Sequence, residues 1–402
     1  MKIFTIREKK MINGRRKQSV FHVLSKVSLG FAIVLSTAAP VFSQGQAAGP
    51  LPDFPLKGAN VFIEKGCIQC HMVWGTGESF GPDLTQMGME KDFFELSGAL
   101  WSHSPKMIEV MEEKGVERPV FSPKETEALL AYVYYLGFLD ELGDYLKGQV
   151  IFEDKGCSRC HSLGGGPDKS GPALDKYGRY VSPVFIAAAL WNHSSTVSRA
   201  MVEKPFAAKE MCHLLAFIKG NAENQNGETV YIQPGNPKKG KAVFAEKQCI
   251  SCHSRGGFDL LASDLRKSLT EIVGMMWNHS SPMWEQMRSR GLRIPRFDDS
   301  EMSDMTAYLY FIPYYGEAGD ATRGKVVFEE KGCIACHSQE AIAEGKGIDL
   351  GEITGSSFID LISAMWNHVP EMEKMVTEMN LLWPRFENNE MKDLIYYVQS
   401  LK

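Results

Sequence analysis

The chain lacks the pattern of a β-protein. Nowhere in its 402 residues do apolar and polar side chains alternate with period two over a useful length, which excludes a sheet with one buried face. It also lacks a full bilayer span: the apolar run from Val27 to Phe42 is 16 residues, short of the 18 or so that a membrane helix needs. Histidine is scarce at 10 residues and cysteine at nine. Positive charge is in deficit, with 44 Lys and Arg against 49 Asp and Glu, and eight of those bases lie in the first 43 residues beside a single acid. Without that segment the net charge moves from −5 to −12. A negative surface argues against nucleic acid and anionic lipid as partners and favours a partner with a basic docking patch.

What is present at the N-terminus reads as an export signal over residues 1–43. Lys2, Arg7, Lys9, Lys10, Arg15, Arg16, Lys17 and Lys26 form a basic front, the apolar run follows, and a small polar patch from Ser43 to Ala48 offers a cleavage point. A retained anchor is the alternative. Arg15-Arg16 suggests a twin-arginine signal, but the residues after it support one only weakly. Either route places the protein outside the cytoplasm: in a periplasm, on the outer face of the cytoplasmic membrane, or extracellular.

The scarce cysteines are not scattered. Eight of the nine fall in four Cys-x-x-Cys-His runs: CIQCH at Cys67, Cys70 and His71; CSRCH at Cys157, Cys160 and His161; CISCH at Cys249, Cys252 and His253; CIACH at Cys333, Cys336 and His337. First cysteines are spaced 90, 92 and 84 residues apart, which predicts four tandem units at 50–140, 141–231, 232–316 and 317–402. Each is small enough to need help in stabilising a core.

Three further blocks repeat in register. The opening runs KGANVFIEKG, KGQVIFEDKG, KGKAVFAEKQ and RGKVVFEEKG lead into the cysteines. A loop block follows at Gly81-Pro82-Asp83-Leu84, Gly171-Pro172-Ala173-Leu174, Gly257-Phe258-Asp259-Leu260 and Gly347-Ile348-Asp349-Leu350, with unit three six residues shorter before it. Then come LWSH, LWNH, MWNH and MWNH, with Trp101, Trp191, Trp277 and Trp366 on a predicted middle helix, the tryptophans expected in its core-facing side. A last helix opens at Glu125, Glu210, Glu301 and Glu390, with an aromatic seven residues on; Ser122 with Glu125 forms a capping box. The fold class expected is all-α, four small helical units.

Two thiols three apart followed at once by His form the attachment signature of c-type haem. The thiols bond the two vinyl positions of the porphyrin and the His is the proximal iron ligand. Zinc needs four ligands, so each pair borrows others, and zinc gives no reason for the adjacent His. A redox dithiol needs a βαβ context that is missing, and a disulfide across two residues adds little stability. Four haems are therefore expected, on the eight cysteines named, with His71, His161, His253 and His337 proximal.

With these blocks in order, each unit resembles a class I cytochrome c domain, and the likeness covers about residues 50–402. It implies that a carbonyl near the loop proline holds the proximal His; Pro82 and Pro172 match, Phe258 and Ile348 do not. It also implies a distal Met directly before a Pro, and here the chain departs: those positions read Arg118-Pro119, Lys204-Pro205, Ile294-Pro295 and Trp383-Pro384. The candidates left lie on the middle helix. His103, His193, His279 and His368 offer one ligand in every unit; Met107, Met111, Met201, Met283, Met287, Met372 and Met375 share or adjoin that face, but no Met position is filled throughout, unit two having Val197 and unit four Val376. Outside these positions only His22 and His213 remain.

Iron held by two protein ligands does not readily bind substrate, so the expected function is one-electron transfer between redox partner proteins. Two alternatives stand. One haem, with unit three the first choice, has an open distal side and reduces a small oxidant; or the chain is the cytochrome subunit of a membrane respiratory complex or an extracellular cytochrome assembly. The ninth cysteine, Cys212, is expected near the surface because its equivalents Glu127, Ser303 and Lys392 are polar, and the adjacent His213 is expected to be solvated.

Overall fold

The computed structural model describes residues 49–401 apart from 86–90, 141, 165, 168, 177–181, 195–203, 222–234, 255–258, 261–262, 264 and 354–356. The export segment, Met201, Val197 and the Gly257-Phe258 loop lie outside these residues. Among the described residues every regular element is helical, and no helix is long and apolar enough to cross a membrane.

The same helix set recurs along the chain. Unit one holds α1 (Lys57–Glu64), α2 (Phe93–Lys114) and α3 (Pro123–Leu136). Unit two holds α4 (Tyr145–Asp154), α5 (Pro183–Ser194) and α6 (Glu210–Gly220). Unit three holds α7 (Pro237–Glu246), α8 (Leu269–Ser289) and α9 (Asp299–Phe311). In unit four α10 (Ala321–Glu330) leads to a middle helix broken in two, α11 (Phe358–Asn367) and α12 (Val369–Glu378), and then α13 (Glu390–Gln399). The break falls at His368, just before Pro370, whereas α2 and α8 run unbroken through Pro105 and Pro282.

The first and last helices of each unit cross at a glycine. A Cβ on Gly58 would lie 2.0 Å from the Ala128 carbonyl oxygen; Gly148, Gly240 and Gly324 meet the carbonyls of His213, Asp304 and Asp393 at 2.0, 1.9 and 1.9 Å. Only glycine allows that approach. One turn on, Phe62–Tyr132, Phe152–Phe217, Phe244–Tyr308 and Phe328–Tyr397 rings pack at 5.8, 5.6, 5.4 and 5.4 Å, pairs worth about 0.5–1.5 kcal/mol beyond their burial. The lysine before each first cysteine closes the crossing on the glutamate that opens the last helix: Lys65–Glu125, Lys155–Glu210, Lys247–Glu301 and Lys331–Glu390, at 2.9, 2.6, 2.6 and 2.8 Å. The Ser122–Glu125 capping box is present.

This crossing accounts for His213. Its Nδ1 accepts the Asp144 N–H at 3.0 Å, as Asp304 accepts from Asn236 and Asp393 from Asp320. The position ties the start of the first helix to the last, so its polarity serves a backbone N–H rather than water. Likewise the polar equivalents of Cys212 do not mark a surface: Ser303 and Lys392 are buried, and Cys212 is half-buried.

Helix packing between units follows a pattern that chain order does not announce. Among the described residues, substantial helix-on-helix packing between units joins one with four and two with three. Units one and three meet through reciprocal bonds instead. The Tyr134 and Tyr310 hydroxyls each donate to the other's backbone carbonyl, at 3.0 and 2.7 Å. The Phe93 N–H donates to Tyr314 O and the Leu269 N–H to Phe138 O, both at 2.8 Å. A single aromatic core runs through the junction.

Candidate haem sites

Each Cys-x-x-Cys-His run is one tight helical turn. In all four units the His N–H donates to the first cysteine's carbonyl at 2.9 Å, which sets the two sulfurs and the imidazole on one side of the turn. A left-handed residue precedes the turn: Gly66, Gly156 and Gly332, and in unit three Gln248 at φ 63°. Burial pushes the first thiol of each pair, Cys67, Cys157, Cys249 and Cys333, up to about 11. A thiol raised in this way is less of a thiolate at neutral pH, and so less reactive as a redox dithiol. Among the described residues no three His, Cys, Asp or Glu side chains form a metal cluster.

The loop block holds the proximal histidines. His71 Nδ1–H donates to Pro82 O at 3.1 Å, His161 Nδ1–H to Pro172 O at 2.8 Å and His337 Nδ1–H to Ile348 O at 3.0 Å. A carbonyl only accepts, so the proton sits on Nδ1 and Nε2 keeps the lone pair a metal needs. Ile348 shows that proline is dispensable for this bond. The glycine before it is not: a Cβ on Gly81 or Gly171 would lie 2.4 or 2.6 Å from the His ring. The carbonyl equivalent in unit three, Phe258, is outside the described residues.

The middle helix brings its histidine to the opposite side. In unit two the His161 and His193 ring centres are 5.8 Å apart, and in unit three His253 and His279 are 6.2 Å apart. Two imidazoles sharing one metal ion through bonds of about 2 Å have ring centres roughly 6 Å apart. Partial burial, and then His161 nearby, lower the His193 pKa, which favours the neutral imidazole that a metal needs. In unit one His103 Nδ1–H donates to Ala99 O at 2.7 Å, which again frees Nε2; in unit four His368 sits at the break between α11 and α12. Of the methionines, Met107 packs near Cys67 and Ile68, Met283 and Met372 pack against the main core, and Met111, Met287 and Met375 are partly exposed.

A cavity of about 330 Å³ opens in unit two, lined by Cys157, His161, Leu174, Phe185, His193 and, from unit three, Trp277. It is within the roughly 300–1,000 Å³ range of cofactor sites, and its thiol and imidazole donors fit a haem. Trp277 Nε1 is buried with no partner among the described residues, a donor that a cofactor carboxylate can satisfy.

Two of the positions before the second proline bond across units, and a third, Lys204, lines the unit-two cavity with its Nζ donating to Asp154 O at 2.6 Å. The Arg118 guanidinium donates to Trp366 O and Trp383 Nε1–H to Trp101 O at 3.2 Å. Those carbonyls are available because Pro370 and Pro105 lack the N–H that would have bonded them. The proline carbonyls in turn accept the indoles: Trp101 Nε1–H donates to Pro384 O at 2.9 Å, Trp191 Nε1–H to Pro295 O at 2.7 Å and Trp366 Nε1–H to Pro119 O at 2.8 Å, each across two units. Asn192, Asn278 and Asn367 pair with the backbone of Phe297, Phe206 and Phe121 of the neighbouring unit. The tryptophans are buried as expected, but the core they enter lies between units. Repetition of Trp-Asn-His and x-Pro was the available signal; nothing in it said the partner was another unit.

Residues 56–137 and 321–402 match the cytochrome c family. Both segments are cytochrome c domains. They correspond to units one and four of the repeat. No curated protein and no solved structure matches the chain. Cytochrome c domains attach haem covalently and serve electron transfer, which is the chemistry the motif turn, the oriented imidazole and the apolar cavity suit.

Proposed function

We propose that the chain is an exported tetrahaem cytochrome that carries electrons between redox partner proteins, with four domains at 50–140, 141–231, 232–316 and 317–402. Bound haem supplies reversible one-electron oxidation and reduction. The residues supply the rest. Cys67 and Cys70, Cys157 and Cys160, Cys249 and Cys252, Cys333 and Cys336 hold the porphyrins covalently. His71, His161, His253 and His337 would be the first protein ligands of the iron, the loop carbonyl orienting His71, His161 and His337. His103, His193, His279 and His368 would be the second and would close the iron to substrate. Apolar walls exclude water, and the negative surface steers a partner with a basic docking patch.

The observation that carries this reading is the pair of imidazoles 5.8 Å apart across the unit-two cavity, beside its thiol. Intact mass of the protein purified after export tests the haem number, and low-temperature EPR with near-infrared spectra tests the ligands. Four haems with only bis-histidine signals are expected. Met-to-iron charge-transfer bands would overturn the distal assignment. Stoichiometric carbon monoxide binding by the reduced protein would replace the carrier with a haem enzyme.

A further inference from the structure

We infer that the four haem sites are ordered in space as 4–1–3–2, in two face-to-face couples joined at the centre, and not in the order of the chain. The inference rests on the reading above, one haem per unit. Its grounds are the walls of the sites.

In the 2·3 couple, the unit-two cavity is walled by Trp277 from unit three. In the 1·4 couple, Trp366 from unit four is buried in one cluster with Phe62 and Phe121 of unit one, its ring centre 5.5 Å from that of Phe121, and Cys67 and Ile68 of the unit-one turn pack against the same cluster. The opposite face of the same couple has Trp101 stacked on Trp383, ring centres 4.6 Å apart and 21° from parallel. The unit-two site therefore borrows an indole from its couple partner, and that indole belongs to the helix carrying the partner's own candidate distal histidine. The bonds between Trp, Asn and the x-Pro segment run in both directions across 1·4, as they do for a twofold pair.

The 2·3 couple keeps this plan with one slip. Units one, three and four read Pro-x-Phe after the crossover (Pro119 to Phe121, Pro295 to Phe297, Pro384 to Phe386), whereas unit two reads Pro205-Phe206. The Pro205 carbonyl accordingly accepts Lys155 Nζ at 2.5 Å, the role of the x carbonyl elsewhere. Trp277 Nε1 is left without the bond its three counterparts make.

Among the described residues the polar contacts between the couples join units one and three, at the reciprocal Tyr134 and Tyr310 bonds, the Asp53–Lys238 ion pair at 2.9 Å, and Asp140, which accepts from Ser268 and Thr270, while a single ring contact, Tyr315 on Phe358 at 5.2 Å, links unit three to unit four. Units two and four are thus the ends. An electron passing between neighbouring sites oxidises one and reduces the next, with no bond made or broken. It is supplied by a one-electron donor protein docked at one end unit and taken by a one-electron acceptor at the other.

Anomalous diffraction at the iron edge, from crystals of the haem-loaded full chain, tests the order. The shortest iron–iron separations are expected for 1–4 and 2–3, followed by 1–3, with 1–2 and 2–4 longer. Four irons whose nearest neighbours run 1–2–3–4 would overturn the inference and leave the carrier reading intact. Fewer than four irons would sink the carrier reading itself. In solution, zero-length carbodiimide coupling of the same protein is expected to join the Asp53 and Lys238 peptides, and to lose that product in Lys238→Ala. A coupled product joining unit one to unit two in its place would also overturn the order.

Discussion

Two residues decide more than their neighbours do. His193 has Val197 one turn on where other units have Met, so it has no methionine understudy at that position. His193→Ala is expected to convert about a quarter of the haem from low-spin to high-spin, read by EPR, because no like ligand stands at the vacated side. Gln248 occupies a left-handed position where the other three units place glycine. The strain of a non-glycine residue there is on the order of 1 kcal/mol or more, and glycine's unfolded-state entropy returns part of it. Gln248→Gly is therefore expected to stabilise the chain by about 0.5 kcal/mol in thermal melts; a loss of stability would show that the Gln side chain contributes bonds of its own. At this scale the Cys-x-x-Cys-His turn and the histidine on the middle helix were legible because each is a local spacing. Cys212 and His213 are half-buried, and polarity at the His213 position did not by itself say that the ring accepts the Asp144 N–H.

The helix crossing is the element that makes each unit. Gly324 faces the Asp393 carbonyl at 1.9 Å, so Gly324→Ala must push α10 off α13. The expected cost is about 2–3 kcal/mol, the range for overpacking a close-packed contact, measured by denaturant midpoints; a change under 0.5 kcal/mol would mean the helices slide without penalty. The crossing is also pH-sensitive. The Ser122 N–H first, then Lys65, hold the Glu125 carboxyl down at about 2. Its folded pKa is depressed below an unfolded value near 4.3, so its contribution is complete above that value and is lost as pH falls through about 2. Glu125→Gln is expected to flatten the fall in thermal midpoint between pH 5 and pH 2 relative to the parent. The aromatic, the Lys and the Glu of this device were all visible as repeats; that they meet was not, because nothing in the sequence gives the distance between a first and a last helix.

Across the whole molecule the informative contact is a buried ion pair. Lys392 Nζ of unit four lies 2.9 Å from Asp92 of unit one, with each side chain 7% exposed, and Asp92 also caps α2. Removing one partner of such a pair strands the other charge, typically at about 3 kcal/mol or more. Lys392→Met is expected to cost about that much and to loosen unit four from unit one, seen as faster amide exchange in α2 and α11 and no change in α5. Equal exchange in both couples would count against the 1·4 contact. Such long-range pairings are invisible to a repeat alignment. Four units carrying the same Trp, Asn or Ser, and x-Pro groups are equivalent as donors and acceptors, so the sequence by itself determined that the units are helical and that each carries the Cys-x-x-Cys-His spacing of a haem attachment. Only the tertiary structure decided which unit faces which, because that choice rests on where the chain brings identical bonding faces within about 3 Å of each other.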